Sequence, residues 1–254
     1  MTPAPVLILD EIDSTNAEAR RRAEAGETAS QWIVARRQSA GRGRRGRAWN
    51  SDSGNLFATL LTRTARPPSE AAQVTFIAAL AVADLLDAFV PPTLVTIKWP
   101  NDVMLDGVKA SGILVESGPH PQGGLWMAVG IGVNLAHAPE ETDRPAAAMA
   151  SRLRADVAYA PPIEAAAEVL AQAFAVWSER WDTLGFSPIL DAWTARVGGL
   201  NGPCTARLAH ETLTGMAEGV EADGALRLRL ADGELRRISA GDVFFGPDSG
   251  IMAA

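Results

Sequence analysis

Gln38-Ser-Ala-Gly-Arg-Gly-Arg-Arg-Gly-Arg-Ala-Trp49 is the stretch on which the reading of the whole chain turns. It lies between two segments with the composition of strands, residues 32–37 and 55–62, so it reads as a loop carried by a sheet. With Arg36 and Arg37 it places six arginines among the twelve residues 36–47. Arginines this close repel one another, and an anionic partner is expected to compensate them. Gly41, Gly43 and Gly46 permit close backbone approach, which suits a loop folding over a phosphate or carboxylate. Two alternatives stand beside that reading, a flexible solvated loop and an RNA-binding Arg/Gly patch. Acidic surroundings and the lack of interleaved aromatic residues weigh against RNA. The pattern is neither a Walker loop nor a dinucleotide fingerprint.

Outward from this loop, residues 6–9 read as a strand, and Thr15-Asn-Ala-Glu18 as a capping box opening a helix to about Ala25. Residues 69–89 are Ala/Leu-rich at helical spacing until Pro91-Pro92 stops them. Strand 93–98 follows, then a hairpin turn at Asp106-Gly107, strands 109–117 and 125–135, and a long amphipathic helix over 163–184. In that helix Trp177 and Trp181 share one face. After Gly198-Gly199, short strands near 205–209, 212–220, 225–230 and 234–238 are spaced as in a small β-barrel. The predicted organisation is an α+β catalytic domain over residues 1–195 and a small all-β domain over 196–254.

A net charge of −7 argues against general polyanion binding, although it leaves room for a local basic site. A single cysteine, Cys204, excludes an internal disulfide and a cysteine-rich metal site. The N-terminus lacks the basic region of a signal peptide, and no uninterrupted apolar stretch approaches a membrane span, so a cytoplasmic protein with no membrane partner is expected. His120, His137 and His210 cluster with nothing and read as surface or loop residues.

All but two of the 23 basic residues are arginine, and the two lysines, Lys98 and Lys109, fall within one 12-residue window. A compact ammonium is evidently needed there, where a planar guanidinium does not serve. Lys98-Trp-Pro-Asn-Asp102 ends a strand at a Pro-Asn-Asp turn. Asp102 there could hold Mg²⁺ or a ribose hydroxyl, and Lys98 a phosphate. Lys109-Ala-Ser-Gly-Ile-Leu-Val-Glu116 opens a strand with a cation that either snorkels at the edge or points into a cleft, with Gly112 allowing close approach. Gly130-Ile-Gly-Val-Asn134 ends another strand.

Taken together and in this order, these four motifs closely resemble the motif series of biotin protein ligases, and the resemblance runs from the Asp-Ser-Thr-Asn stretch at residues 13–16 to about Phe245. The resemblance implies a mixed sheet flanked by helices, of the class II synthetase-like biotin/lipoate ligase type, followed by an SH3-like β-barrel. It implies that Ser14, Thr15, Asn16 and Gln38 line a biotin pocket, and that Arg42, Gly43, Arg44 and Arg47 belong to a loop closing over biotin and the adenylate. It further implies Trp49 beside the adenine, Lys98, Asn101 and Asp102 serving ATP and Mg²⁺, Asn134 the nucleotide, and Lys109 the reacting carboxyl and phosphoryl oxygens. Lys109, Arg44 and Arg42 are thus the expected catalytic residues. The implied reaction forms biotinyl-5′-AMP from biotin and ATP, then transfers biotin to a lysine of a biotin carboxyl carrier domain of acetyl-CoA carboxylase or a related enzyme. Some members of the family carry an N-terminal DNA-binding domain; with so few residues before the first strand, no DNA partner is expected here, and the chain acts as monomer or homodimer. The nearest rival is lipoate protein ligase, which shares the fold and the adenylate chemistry.

Overall fold

A computed structural model describes residues 2–139 and 145–246; residues 247–254 of the expected second domain lie outside the described residues. Seven strands form one sheet: β1 (Val6–Ile12), β2 (Gln31–Gln38), β3 (Leu56–Thr64), β4 (Val95–Lys98), β5 (Asp102–Leu105), β6 (Val108–Pro119) and β7 (Leu125–Val133). Their order is β1-β2-β3-β7-β6-β5-β4. Among the strands of the described residues β1 and β2 pair in parallel and the other neighbours antiparallel, so the sheet is mixed as expected. Five helices accompany it: α1 (Thr15–Glu24), α2 (Pro68–Ala71), α3 (Val74–Asp87), α4 (Ile163–Leu184) and α5 (Ser187–Thr194).

Paired residues on neighbouring strands point to the same face, so the register sorts the sheet into two surfaces. On one, Ala58, Ile131 and Ile113 form a row beside Leu60, Val129 and Val115. Together with α3 and α4 these residues belong to the main hydrophobic core. The other face is covered only in part. There Ala19 and Ala23 of α1 pack on Ile33, Leu61, Trp126 and Ala128. Beyond α1 the same face carries Thr59, Gly130, Gly132, Gly112, Asp102 and Lys98, and this open half is where the site lies.

The second sheet is antiparallel, β8 (Gly202–Arg207), β9 (Thr212–Val220), β10 (Leu226–Leu230), β11 (Leu235–Ile238) and β12 (Asp242–Phe245), in the order β11-β10-β9-β8-β12. Its buried residues, among them Cys204, Ala217, Leu226 and Val243, join the same core cluster as the large sheet. The joint is built on Trp99, which is buried and donates from Nε1 to the Gly224 carbonyl at 2.9 Å. A side chain at Gly224 would collide with Phe76 of α3, so this turn needs glycine to reach the core. The tryptophan of Lys-Trp-Pro-Asn-Asp is therefore an anchor for the small domain.

Several expectations are corrected. The N-cap of α1 is Ser14, not Thr15: Ala17 donates its N–H to Ser14 Oγ, and Glu18 pairs with Arg21 and Arg22 instead of reaching back. The helix predicted over 69–89 is two helices, α2 and α3, broken at Ala72-Gln73. Residues 68–87 together reach the length and mean hydropathy of a bilayer span, but Glu70, Gln73 and Asp84 interrupt them, so the expectation of no uninterrupted apolar span stands. Their apolar character is that of a core helix, since α3 packs against β4 to β7 and against α4 and α5. His120 is a loop residue as expected, but a buried one: its Nδ1 accepts from the Gln122 N–H, so its Nε2 donates to the Glu27 carbonyl, at 3.1 and 3.0 Å. The short elements β5, α5 and β12 were not anticipated. On α4, Trp177 and Trp181 do share a face, and both bond across to the α2–α3 segment, at Asp84 and Gln73.

Candidate active site

One cross-strand row runs over the open face: Lys98 pairs with Asp102, Asp102 with Gly112, and Gly112 with Gly132. Pairing puts the Lys98 and Asp102 side chains on the same surface as the two glycines. A bulge between Val103 and Met104 shifts the register so that Lys109 also reaches this row, and its Nζ lies 2.7 Å from Asp102 Oδ1. Trp49 lies flat against the glycines: a Cβ at Gly132 would come within 2.5 Å of its ring and one at Gly112 within 2.8 Å. The Lys109 ammonium sits 5.4 Å from that ring. The indole Nε1 of Trp49 is buried without a hydrogen-bond partner. Lys98 faces the small domain, 5.6 Å from the Phe244 ring.

A second cluster sits toward α1, where helix start, loop start and sheet meet. Gln38 Oε1 accepts from the Thr15 N–H at 2.8 Å and lies 3.1 Å from the Thr15 hydroxyl, while Gln38 Nε2 donates to Ser51 Oγ at 2.9 Å. Thr59, fully buried on β3, lies 2.8 Å from Thr15 Oγ1 and 2.7 Å from Asn16 Oδ1. Asn16 Nδ2 donates to Glu116 Oε2 at 2.7 Å and to the Leu114 carbonyl at 3.3 Å. Asn16 can lie so close to β7 only because residue 130 is glycine, where a Cβ would come within 2.1 Å of Oδ1. Ser14 caps α1 beside them.

The loop from Gly41 to Trp49 crosses above both clusters. Gly43 donates to the Arg47 carbonyl at 2.7 Å, closing a tight turn around Arg44–Gly46 in which Arg45 takes the left-handed conformation. The expectation that the six arginines need an external anion is corrected, because acids of the chain itself already pair with most of them. Arg36 meets Glu164 and Asp10, Arg37 meets Glu11, and Arg42 meets Glu116. Arg45 and Arg47 share Asp242 at the start of β12. Arg44 is different. It is largely enclosed and donates to two neutral oxygens, Asn101 Oδ1 at 2.8 Å and the Gly241 carbonyl at 2.9 Å. Burial pushes its pKa down, opposed by Asp242 and Asp102 nearby, but a guanidinium stays charged.

Of the residues singled out from the sequence, Lys98, Asp102, Lys109, Trp49, Asn101 and Arg44 come together at one end of the open face, and Ser14, Thr15, Asn16 and Gln38 at the other. Arg42 stands on the rim and Gly43 in the turn. Arg47 points at Asp242, away from the row. Asn134 donates from Nδ2 to the Ala147 carbonyl at 3.1 Å and holds the segment before Met149. Sequence reasoning missed Thr59, Glu116, Ser51 and Asp242. A threonine within the apolar run of residues 56–61, and a glutamate ending Ile-Leu-Val-Glu, were the signals available.

A cationic end and a neutral hydrogen-bonding end on one glycine-floored surface suit an acid that is to be joined to a nucleotide. The sequence profile of the biotin/lipoate A/B protein ligase family matches residues 9–135, and that of the biotin protein ligase C-terminal domain matches residues 199–246. The chain is 44% identical to a biotin–[acetyl-CoA-carboxylase] ligase of Paracoccus denitrificans over 241 residues, covering 94% of this chain and 100% of that protein. It is 30% identical to the bifunctional ligase/repressor BirA of Bacillus subtilis, covering 93% of this chain and 73% of the relative. The solved biotin protein ligase from Aquifex aeolicus in complex with biotin and ATP superposes with a TM-score of 0.78 at 22% identity, covering 95% of this chain and 99% of the other. That of Leishmania major in complex with biotinyl-5-AMP gives 0.62 at 24%, covering 94% and 100%. At these identities the two structures bear on the fold, whereas the sequence relatives and the profiles carry the family. The chain belongs to the biotin/lipoate A/B protein ligase family, among its biotin protein ligases.

Proposed function

We propose that this chain joins biotin to ATP as biotinyl-5′-AMP and then passes the biotinyl group to a lysine of a carboxylase carrier domain. The observation that carries this reading is the division of the open face, with the Lys98–Asp102–Lys109 row at one end and the Thr15–Asn16–Gln38–Thr59 cluster at the other. Biotin has the same polarity, a neutral cyclic urea at one end and a carboxylate at the other. The acid end of the ligand then falls beside Lys109, where ATP's phosphates are also drawn.

In the first step a biotin carboxylate oxygen attacks the α-phosphorus, the bond to the bridging oxygen breaks, and pyrophosphate leaves. Negative charge grows on the phosphoryl oxygens, where the Lys109 ammonium and Arg44 guanidinium stabilise it; such preorganised donors are worth roughly 10²–10³ in rate. In the second step the carrier's lysine amine attacks the acyl carbon, AMP leaves, and the amine gives up a proton. No side-chain nucleophile is needed, in keeping with Cys204, whose burial pushes its thiol up to about 11.

Trp49 rests on the surface where an adenine ring would stack, and its indole N–H has no partner to lose when it moves aside. Among the described residues no group of three or more acids, histidines or cysteines converges. Asp102 is thus a single carboxylate with one oxygen engaged by Lys109. That fits Mg²⁺ in the manner usual for nucleotide sites, where one or two carboxylates are joined by the phosphates. The ion would neutralise the phosphates and polarise the α-phosphoryl group.

The test is the intact mass of a biotin carrier domain after incubation with this protein, ATP and Mg²⁺, in parallel with biotin, lipoate or no acid. One biotinyl group gained only with biotin and ATP is expected. A gain with lipoate on a lipoyl domain would overturn the substrate, and no gain with no pyrophosphate release would overturn the reaction.

A further inference from the structure

The cluster under the loop contains a mismatch that counting hydrogens exposes. Gln38 Oε1 and Asn16 Oδ1 are its two ends, with the Thr15 and Thr59 hydroxyls between them, giving three O···O contacts of 3.1, 2.8 and 2.7 Å. A carboxamide oxygen accepts only, and each hydroxyl brings one hydrogen. Three contacts are therefore served by two hydrogens. Flipping either amide would supply the third, and both flips are blocked. Gln38 is held by the Thr15 backbone N–H on its oxygen and by Ser51 on its nitrogen. Asn16 is held by two acceptors facing its nitrogen, the Leu114 carbonyl at 3.3 Å and the Glu116 carboxylate at 2.7 Å.

We infer that Glu116 is a specificity-determining positioning residue: by fixing the Asn16 amide it leaves the cluster one hydrogen short, and so selects an acid whose head carries N–H donors. This rests on the proposed biotin reading and deepens it. A cyclic urea brings two N–H donors and one carbonyl, which matches an acceptor-rich pocket. A dithiolane or an alkyl chain brings none and leaves the oxygen that Thr59 does not serve without a hydrogen. A site built around a hydrogen bond rejects an analogue lacking it far better than a site built on shape alone. Glu116 suits the task because its hydrogen bonds run to Asn16 and Arg42 and not to the Lys98–Asp102–Lys109 row. Its carboxylate is about two-thirds shielded and also meets Arg42 Nη2 at 3.4 Å, linking the pocket to the loop above it. The shorter of its contacts is the one to Asn16, to which it can only be an acceptor while ionised.

Glutamine at this position keeps the size but can donate as well as accept, so the shorter of the two contacts that fix the Asn16 amide no longer dictates its direction, and a turn that brings its hydrogen to Thr59 costs only the 3.3 Å contact to the Leu114 carbonyl. The experiment is titration calorimetry of biotin and of octanoate on the full chain, with the KM for ATP and the melting temperature measured alongside, for the wild type, Glu116→Gln and Glu116→Asp. The expected result is that Glu116→Gln weakens biotin roughly tenfold, the size of one hydrogen bond lost from a buried site, and leaves octanoate, the ATP KM and the melting temperature unchanged. Glu116→Asp, which still only accepts, should recover part of the loss. Biotin affinity within twofold of the wild type in Glu116→Gln would overturn the inference, as would a parallel loss for biotin and ATP with a lowered melting temperature, the mark of a merely structural role. If the wild type itself does not bind biotin, the functional reading fails first, and this one with it.

Discussion

The two faces of the seven-stranded sheet are made from the same strands and follow opposite rules. On the face toward α3 and α4, alternate residues of β3, β6 and β7 include Leu56, Leu60, Ile113, Val129, Ile131 and Val133, all buried in the main core. On the opposite face the alternate residues include Gly112, Gly130, Gly132 and Thr59, and the side chains resting on them, Asn16 and Trp49, come from outside the sheet. A closed face gains stability from volume. An open one needs its floor lowered so that polar groups and a ligand can lie flat. The contrast also explains α1, whose alanines cover only the part of the open face that carries Leu61, Trp126 and Ala128.

Four substitutions or measurements probe this division, and the largest effect is expected on the open face. Lys109→Ala removes the ammonium beside Asp102 and should slow biotin-dependent pyrophosphate release by about 10³-fold with an unchanged melting temperature; activity near the wild-type level would refute the role given to Lys109. On the closed face, Leu80→Ala in α3, a fully buried position, should cost about 2–5 kcal/mol of stability. In this variant the rate per folded molecule should persist, and a denaturant melt beside an activity assay separates the two. Gly132→Ala places a methyl on the floor where the Trp49 ring lies and the adenine would stack, and should lower kcat/KM for ATP roughly 10- to 100-fold by crowding that surface, with little change in the melt. If it lowers stability as much as Leu80→Ala, the two faces are not distinct. The smallest effect is on Cys204, buried in the small domain with its thiol raised to about 11. A thiol is reactive only as thiolate, so at pH 7–8 a thiol reagent should label Cys204 only upon unfolding. Rapid labelling of the native protein would show that the small domain is not closed upon the core.

Much of the fold was legible because period-2 and period-3.6 patterns survive where one face is buried, as in β10 or α4. The misses have local causes. β5 and β12 are four residues each, too short for alternation to register. The break at Ala72-Gln73 falls among residues that helices tolerate, so nothing in the sequence marks it, and the apolar run of α3 shows itself as a core helix only once its neighbours are known. The site was legible as motifs, since Lys98, Lys109 and the arginine loop stand out by charge in an arginine-rich, acidic chain. Their partners were not. Asp242 lies some two hundred positions from the loop it meets, and nothing near it in sequence marks it.

The sequence by itself determined the element types, the glycine positions and the chemistry available, because these follow from side-chain identity and spacing alone. It also carried the family, through motifs in a constant order. Tertiary structure alone decided which charges compensate which, that Trp99 joins the two sheets, and that Gly112, Gly130 and Gly132 share a surface. It alone set the direction of the hydrogen bonds around Asn16. These depend on strand register, which moves a residue from one face to the other with a shift of a single position, and on contacts between segments far apart in the chain.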